Sequence, residues 1–239
     1  MTISLENARV FVLAGGLGTR IRSMFPDQPK SLIPIHGKPF LEWQLKLLMQ
    51  QGFTSFVLCV GYLAGKIIEC LGDGSALGAH IEYSVEEAPL GTAGALKNAA
   101  RFFDRTVLVL NGDTYLVTDY RTLLAHHQEH DKTIGSLGLV SVPNTSRYGQ
   151  VVVSSDNHIT EFREKAQSPS QTGLVNAGAY ILEPDILDYI PAGRTVSIEQ
   201  EIFPVLAAAG LLRGFHVTGS FVDMGTPEGL VDLEALLRR

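Results

Sequence analysis

Cysteine is scarce in this sequence of 239 residues. Cys59 and Cys70 are the two cysteines, eleven positions apart, and neither has a thiol or histidine neighbour at metal-site spacing. Such a composition gives no basis for a disulfide framework or a cysteine-ligated metal. We therefore predict that both thiols are reduced and buried.

Positive charge is also in short supply. There are 19 lysines and arginines against 25 aspartates and glutamates, which gives a net charge of −6. General affinity for nucleic acid or for an anionic membrane surface needs an excess of positive charge, so we expect neither as a partner. However, Arg20, Arg22, Lys30 and Lys38 fall within nineteen residues, opposed only by Asp27. This local cluster favours binding of a phosphorylated small molecule.

Long apolar runs and a leader segment are missing too. The apolar runs are too short to span a bilayer, and residues 1–7 lack the basic and apolar regions of a signal peptide. We expect a cytoplasmic protein with no membrane segment. With 45% hydrophobic residues, the chain suffices for one large α/β domain or two small ones.

Short β-type segments alternate with segments of helical period through the first 142 residues. Predicted strands lie near 9–14, 56–60, 81–84, 106–110 and 134–142, and predicted helices near 39–51, 63–71, 91–101 and 119–130. This alternation predicts an α/β fold with βαβ units and a mostly parallel, Rossmann-like sheet flanked by helices. Shorter β segments at 148–153, 159–164 and 174–182 predict a small antiparallel lobe, followed by a helix at 197–208, a strand at 212–217 and a final helix from 227.

The first predicted strand ends in Gly-Gly-Leu-Gly-Thr-Arg at residues 15–20. Glycine takes positive φ without steric cost, so consecutive N–H groups can turn inward around an anion, and a helix starting just afterwards would add its positive end. The dinucleotide-binding pattern needs a third glycine or alanine where Ile21 stands, and the P-loop pattern needs a glycine where Pro29 precedes Lys30. The loop therefore predicts a phosphate site of another kind.

Asp113 follows the apolar strand predicted at 106–110, in Asn-Gly-Asp at 111–113. The carboxyl ends of central strands are where open α/β sheets bind ligands, so Asp113 is a candidate functional carboxylate. His126 and His130 have i,i+4 spacing on a predicted helix, but no glutamate follows the first histidine as in an H-E-x-x-H zinc site. We expect these histidines and His127 to lie on a solvated helix face.

Eight motifs together resemble those of the sugar-1-phosphate nucleotidyltransferases, the nucleoside-diphosphate-sugar pyrophosphorylases. They are Leu-Ala-Gly-Gly-Leu-Gly-Thr-Arg at 13–20, Gln-Pro-Lys-Ser-Leu at 28–32, His-Gly-Lys-Pro at 36–39, Pro-Leu-Gly-Thr-Ala-Gly-Ala-Leu at 89–96, Asn-Gly-Asp at 111–113, Phe-Arg-Glu-Lys at 162–165, Val-Asn-Ala-Gly at 175–178 and Val-Asp-Met-Gly-Thr-Pro at 222–227. The resemblance covers nearly the whole chain. It implies a nucleotidyltransferase fold in which the antiparallel lobe covers the sugar side of a cleft.

The resemblance implies roles for the residues at the matching positions. It implies catalytic roles for Arg20, Lys30, Asp113 and Asp223. It implies nucleotide binding by Leu13, Ala14, Gly15, Gly16, Gly18, Thr19, Gly91, Thr92 and Gly112. It implies sugar-phosphate binding by Tyr148, Gly149, Glu164, Lys165, Asn176 and Glu199. Residues 1–142 would form the nucleotide-binding half of a single domain, and residues 143–239 the sugar-binding half.

The reaction that the resemblance implies joins two anions. A phosphate oxygen of a sugar 1-phosphate attacks the α-phosphorus of a nucleoside triphosphate, and pyrophosphate leaves, so charge neutralisation and positioning are the main catalytic needs. Arg20 and Lys30 would hold the triphosphate, and Lys165 would hold the attacking phosphate. Asp113 and Asp223, 110 positions apart, would bind one Mg²⁺ as cofactor through hard oxygen ligands.

Within the family, the motif combination is most similar to the D-glycero-α-D-manno-heptose 1-phosphate guanylyltransferases, which implies GTP and a heptose 1-phosphate as substrates. GDP-mannose, UDP-sugar and dTDP-glucose pyrophosphorylases are close alternatives. Two other classes stay open: a nucleotide-sugar-dependent glycosyltransferase, which usually carries a D-x-D turn, and a non-catalytic nucleotide-sugar sensor. The sequence ends soon after the implied core, so we expect no hexapeptide-repeat β-helix, and a homo-oligomer is left open.

Overall fold

The computed structural model describes residues 8–145, 148, 150–163 and 171–238. Its strands are β1 (Arg9–Leu13), β2 (Pro34–Ile35), β3 (Lys38–Pro39), β4 (Ser55–Val60), β5 (His80–Val85), β6 (Val107–Asn111), β7 (Thr114–Leu116), β8 (Gly135–Val142), β9 (Gln150–Val153), β10 (Ile159–Arg163), β11 (Gly173–Leu182), β12 (Leu212–Val217) and β13 (Phe221–Asp223). Its α-helices are α1 (Phe40–Met49), α2 (Ala64–Leu71), α3 (Gly91–Asn98), α4 (Tyr120–Gln128), α5 (Phe203–Ala208) and α6 (Pro227–Leu236).

Seven strands form the central sheet in the order β12-β8-β11-β6-β1-β4-β5. Neighbouring strands are parallel except at β11, which runs antiparallel to both β6 and β8. This mostly parallel mixed sheet, flanked by helices, confirms the predicted fold class. In the part of the chain that the structure describes, no helix is long and apolar enough to cross a membrane.

The prediction that residues 174–182 belong to the antiparallel lobe is wrong. That segment forms β11, which lies in the middle of the main sheet. Residues 177–182 are all buried, as expected of a strand covered on both faces. The antiparallel lobe that the structure describes is the β9–β10 hairpin.

Alternate side chains of the sheet face two separate cores. Val10 and Val12 of β1 pack in the core that α1, α2 and α4 cover, whereas Phe11 packs in the core that α3 and α5 cover. A third apolar cluster anchors α6 and includes Tyr115 of β7 and Met224. This third cluster fixes the small antiparallel pair of β7 and β13 beside the carboxyl edge of the main sheet.

Two expectations, about the glycine loop and about the thiols, need correction. No helix directly follows the loop, because residues 19–24 form turns in which the Ile21 N–H donates to the Gly18 carbonyl at 3.1 Å. The loop therefore has no helix dipole behind it. Cys59 is buried as predicted, but Cys70 is exposed on α2.

Two helical predictions also differ from the structure. The helix predicted at 197–208 is divided into a π-helical turn at Ile198–Ile202 and α5, where Pro204 lacks the N–H that a continuous helix would use. On α4, His127 is 3% exposed rather than solvated. Its Nδ1 lies 2.8 Å from the Ser136 hydroxyl and its Nε2 lies 2.9 Å from Glu183 Oε1.

Candidate active site

A single cleft of about 660 Å³ gathers the predicted site residues at the carboxyl ends of the parallel strands. Every predicted site residue that the structure describes lines it: Leu13, Ala14, Gly15, Gly16, Gly18, Thr19, Arg20, Lys30, Gly91, Thr92, Gly112, Asp113, Tyr148, Asn176, Glu199 and Asp223. Gly149, Glu164 and Lys165 lie outside the described residues. The sequence motifs therefore converge on one place, although they are spread over more than 200 residues.

The glycine loop leaves β1 and packs tightly against the end of β4. A Cβ on Gly15 would lie only 3.3 Å from the Gly61 nitrogen, and it would lie 2.6 Å from Glu86 Oε1, so the Glu86 carboxylate would have to move. Gly18 has a φ of 58°, a left-handed conformation that glycine adopts at no steric cost. Glycines at these positions let the loop backbone line the cleft with Arg20 at its end.

Asp113 and Asp223 meet beside Lys30. The β7–β13 pairing sets Asp223 opposite Thr114, and the Met224 N–H donates to the Asp113 carbonyl at 3.0 Å. Lys30 Nζ donates to Asp113 Oδ2 at 2.5 Å. Two carboxylates from distant parts of the sequence thus flank one cationic group.

The oxygen atoms at this point suit a hard divalent cation. Asp113 and Asp223 supply carboxylate oxygens, and the ammonium of Lys30 shows that the place already attracts positive charge. Among the described residues, no group of three or more histidine, cysteine or acidic side chains is arranged to hold a metal. The two aspartates would leave the remaining positions to water and phosphate oxygens, which is how Mg²⁺ is usually held with phosphorylated substrates.

The first turn of α3 is clasped by the segment before α5. The Val196 N–H donates to the Leu90 carbonyl at 2.8 Å, and the Ala93 N–H donates back to the Val196 carbonyl at 3.0 Å. Gly91 has a φ of 72°, and a Cβ there would lie 2.5 Å from the Val196 oxygen. Glycine is therefore required where the chain enters this helix at the cleft wall.

A hydrogen-bonded chain connects the predicted nucleotide-binding and sugar-binding residues. Thr92 Oγ1 donates to Glu199 Oε2 at 2.7 Å and accepts from the Ile198 N–H at 2.8 Å. Tyr180 donates to Glu199 Oε1 at 3.4 Å, and Asn176 Nδ2 donates to the Tyr180 oxygen at 2.9 Å. Burial raises the pKa of the Tyr180 phenol well above its usual value, so the hydroxyl keeps its proton.

The opposite wall of the cleft is shaped by a local irregularity in β11 and by an aromatic pair. The pairing register of β11 shifts after Asn176, whose Oδ1 accepts from the Gly178 N–H at 2.9 Å. Gly178 has a φ of 68°, and a Cβ there would lie 3.1 Å from Asn111 Nδ2. Tyr148 meets Phe221 edge-on with ring centroids 5.4 Å apart.

Motif reasoning missed two polar side chains at this site. Gln44 is buried on α1, and its Nε2 donates to the carbonyls of Asn111 and Thr114 at 2.9 and 3.0 Å, which holds the turn around Asp113. A polar residue on the otherwise apolar face of the predicted helix was the available signal. Glu86 also lines the cleft; it lies three residues before the motif at 89–96, and from the sequence it is expected to be a solvated loop charge.

Glu86 is half-buried next to the glycine loop. Its Oε2 accepts from the Leu90 N–H at 2.9 Å, and its Oε1 faces Gly15. Burial raises the pKa of the Glu86 carboxyl, and the hydrogen bond from Leu90 opposes that rise. One carboxylate oxygen is therefore occupied by the backbone, and the other lies beside Gly15 at the cleft.

The sequence model of the nucleotidyl transferase family matches residues 9–239. This chain belongs to the nucleotidyl transferase family. Among relatives within it, the mannose-1-phosphate guanylyltransferase of Mycobacterium tuberculosis is 38% identical over 92% of this chain and 62% of its own length. The UTP–glucose-1-phosphate uridylyltransferase of Synechocystis is 35% identical over 91% of this chain. The chain spans 60% of that second relative's length.

A relative of similar length gives a fuller match. The D-glycero-α-D-manno-heptose 1-phosphate guanylyltransferase of Campylobacter jejuni is 35% identical over 92% of this chain and 96% of its own length. The crystal structure of HddC from Yersinia pseudotuberculosis superposes with a TM-score of 0.86 and 32% identity, over 96% of this chain and 99% of HddC. HddC complexed with GMP-PN superposes with a TM-score of 0.85. These matches cover both walls of the cleft.

Proposed function

We propose that this nucleotidyl transferase family member transfers a nucleoside monophosphate from a nucleoside triphosphate to a sugar 1-phosphate, releasing pyrophosphate. The observation that carries the proposal is that Lys30, Asp113 and Asp223 line the same cleft as the glycine-rich loop. Two anionic reactants need neutralised charge and fixed positions more than they need a covalent nucleophile. This cleft offers cations, carboxylates and exposed loop backbone in one place.

Each part of the cleft has a role in the proposed reaction. The loop backbone and Arg20 bind the triphosphate, and Lys30 stabilises charge on the leaving pyrophosphate. Asp113 and Asp223 would hold a divalent cation such as Mg²⁺, which would neutralise phosphate charge. Lys165, with Glu164, is proposed to hold the attacking phosphate on the sugar side. The acceptor phosphate is ionised near neutral pH, so the protein needs no general base for the attack.

GTP is the proposed nucleotide, and Glu86 is the residue that favours it. An ionised carboxylate only accepts hydrogen bonds. Guanine presents two adjacent donors, N1–H and the 2-amino group, whereas uracil and thymine present one N–H between two carbonyl oxygens. The Glu86 oxygen that the Leu90 N–H leaves free would attract guanine and repel the carbonyl edges of the pyrimidines.

A heptose 1-phosphate is the proposed acceptor, and the second half of the chain is proposed to bind it. Asn176 and Glu199 are both hydrogen-bonded to the Tyr180 hydroxyl and line the cleft, where they can contact sugar hydroxyls. Tyr148, with Gly149 beside it, would form the wall against the sugar ring. The 35% identity to the D-glycero-α-D-manno-heptose 1-phosphate guanylyltransferase of Campylobacter jejuni supports this acceptor.

A substrate panel tests the proposal. The purified protein is incubated with Mg²⁺, each of GTP, UTP, dTTP, ATP and CTP, and each of several sugar 1-phosphates that include heptose, mannose and glucose, and released pyrophosphate is measured. We expect release with GTP and heptose 1-phosphate to exceed that of any other pair. Release with no pair would refute the proposed reaction, and preferential release with another pair would correct the substrates alone.

A further inference from the structure

The ammonium of Lys30 is paired with Asp113 and lies near Asp223. Its Nζ lies 2.5 Å from Asp113 Oδ2, and the Lys30 side chain is only 11% exposed. Lys30 belongs to the 3-10 turn Lys30–Leu32, which follows Pro29 and holds the lysine stem against Gly18. The lysine is thus held in the cleft by packing as well as by charge.

Gly225 leaves open the space beside Lys30 and Asp223. A Cβ at Gly225 would lie 2.8 Å from Lys30 Nζ and 2.7 Å from Asp223 Oδ1, so the ammonium and the second carboxylate flank the same point. The Gly225 N–H donates to Asp223 Oδ1 at 2.7 Å. That hydrogen bond fixes the Asp223 carboxylate beside the point that the Lys30 ammonium also approaches.

Two cations at this point would repel each other. A divalent ion that binds Asp113 Oδ2 would displace the ammonium from that oxygen, and the nearby ammonium would repel the ion unless it paired with another anion. Without a bound nucleotide, no phosphate would be at hand to pair with the ammonium. When a triphosphate binds, its oxygens provide that anion, because Lys30 stands next to the glycine loop.

We propose that the Lys30 ammonium takes the place of a divalent metal at the aspartates and keeps the metal out of the nucleotide-free site. The ammonium leaves the aspartates only when a triphosphate binds. This inference rests on the proposed function. Metal and nucleotide then bind with positive coupling, since each favours the position of Lys30 that the other requires. The divalent metal therefore binds to the protein–triphosphate complex rather than to the nucleotide-free protein.

The test measures direct binding of Mn²⁺, used as a probe for Mg²⁺, to the nucleotide-free protein. The electron paramagnetic resonance signal of the unbound ion reports how much Mn²⁺ stays free. We expect the variant K30M to bind Mn²⁺ at least tenfold more tightly than the wild type, and K30R, which keeps the charge, to bind as weakly as the wild type. K38M removes the same charge from exposed β3 and should leave the wild-type Kd unchanged. D113N on the K30M background should abolish the gain.

Equal Mn²⁺ affinity in wild type, K30R and K30M would overturn the proposal, as would a gain in K38M as large as that in K30M. Thermal unfolding of each variant checks that it is folded, and K30Q serves as a second uncharged variant if K30M is not. The proposed function is read separately, from pyrophosphate release by the wild type. A protein that releases pyrophosphate but shows equal affinities refutes only the role of Lys30.

Discussion

Glu86→Gln is the substitution that most directly tests how the cleft recognises the base of the nucleoside triphosphate. The glutamine can keep its carbonyl oxygen on the Leu90 N–H, which turns its NH₂ group toward the place proposed for guanine. The NH₂ group of the glutamine then faces the N1–H and 2-amino donors of guanine, and no acceptor lies between them. A hydrogen bond to a charged group contributes about 1.5–3 kcal/mol, so about 2 kcal/mol of discrimination should be lost. Because 1.4 kcal/mol is a factor of ten, the ratio of kcat/KM for GTP to that for UTP should fall roughly 30-fold.

The assay is pyrophosphate release at subsaturating GTP or UTP with a fixed sugar 1-phosphate. Glu87→Gln is the matched control, because Glu87 is the exposed neighbour and its substitution removes the same charge. We expect the control to keep the wild-type ratio. An equal loss of activity with GTP and UTP in Glu86→Gln, or the same change of ratio in the control, would refute the reasoning.

The pH dependence gives a second readout of the same residue. Burial raises the pKa of Glu86 above its usual value, so its carboxyl takes up a proton at a higher pH than an ordinary glutamate does. The protonated form loses its acceptor character toward guanine. In the wild type, kcat/KM for GTP should therefore fall as the pH drops through this raised pKa, and in Glu86→Gln that acid limb should be absent. An identical pH profile in both proteins would exclude Glu86 from base recognition.

Three further substitutions test other parts of the molecule. Asp223→Asn should lower kcat about 100-fold, equivalent to roughly 3 kcal/mol of transition-state stabilisation, without changing the Tm; near-normal turnover would remove Asp223 from the metal site. Thr92→Val cuts the 2.7 Å hydrogen bond to Glu199 and should raise KM for the sugar 1-phosphate about tenfold, whereas an unchanged KM would show that this hydrogen bond does not position Glu199 for the sugar. Glu183→Gln should cost about 1–2 kcal/mol of unfolding free energy at pH 7, measured by urea titration. Burial raises the pKa of Glu183, but hydrogen bonds that include the one from His127 bring it below its usual value. The stability difference should therefore persist above the unfolded-state pKa of about 4.3 and disappear as the pH falls through the lower folded-state pKa; a pH-independent difference would contradict this.

Local pattern predicted most of the succession of strands and helices, and the structure shows why. Hydrophobic period reports which face of an element is buried, and that information is contained in a few neighbouring residues. The hydrophobic pattern could not show which strands become neighbours in the sheet. Residues 174–182 read as part of a lobe, yet the pairing of β11 with β6 and β8 places them in the centre of the sheet.

Polar residues buried by distant parts of the chain were also beyond local pattern. His127 looked like part of a solvated histidine face, but Glu183, 56 residues later, covers it and accepts its hydrogen bond. Gln44 interrupts an apolar helical face. Its role is clear only from the tertiary structure, in which its amide donates hydrogen bonds to the carbonyls of Asn111 and Thr114. Each partner lies too far along the chain for a sequence window to include it.

The sequence by itself determined the parts of the cleft: the glycine-rich loop, the two aspartates, the lysine and the order in which they occur. Only the tertiary structure decided that Lys30 pairs with Asp113 and that Asp223 lies near this pair. The physical reason is that their meeting depends on the antiparallel register of β7 and β13. That register follows from hydrogen bonding and packing between segments more than 100 residues apart, which no local preference encodes.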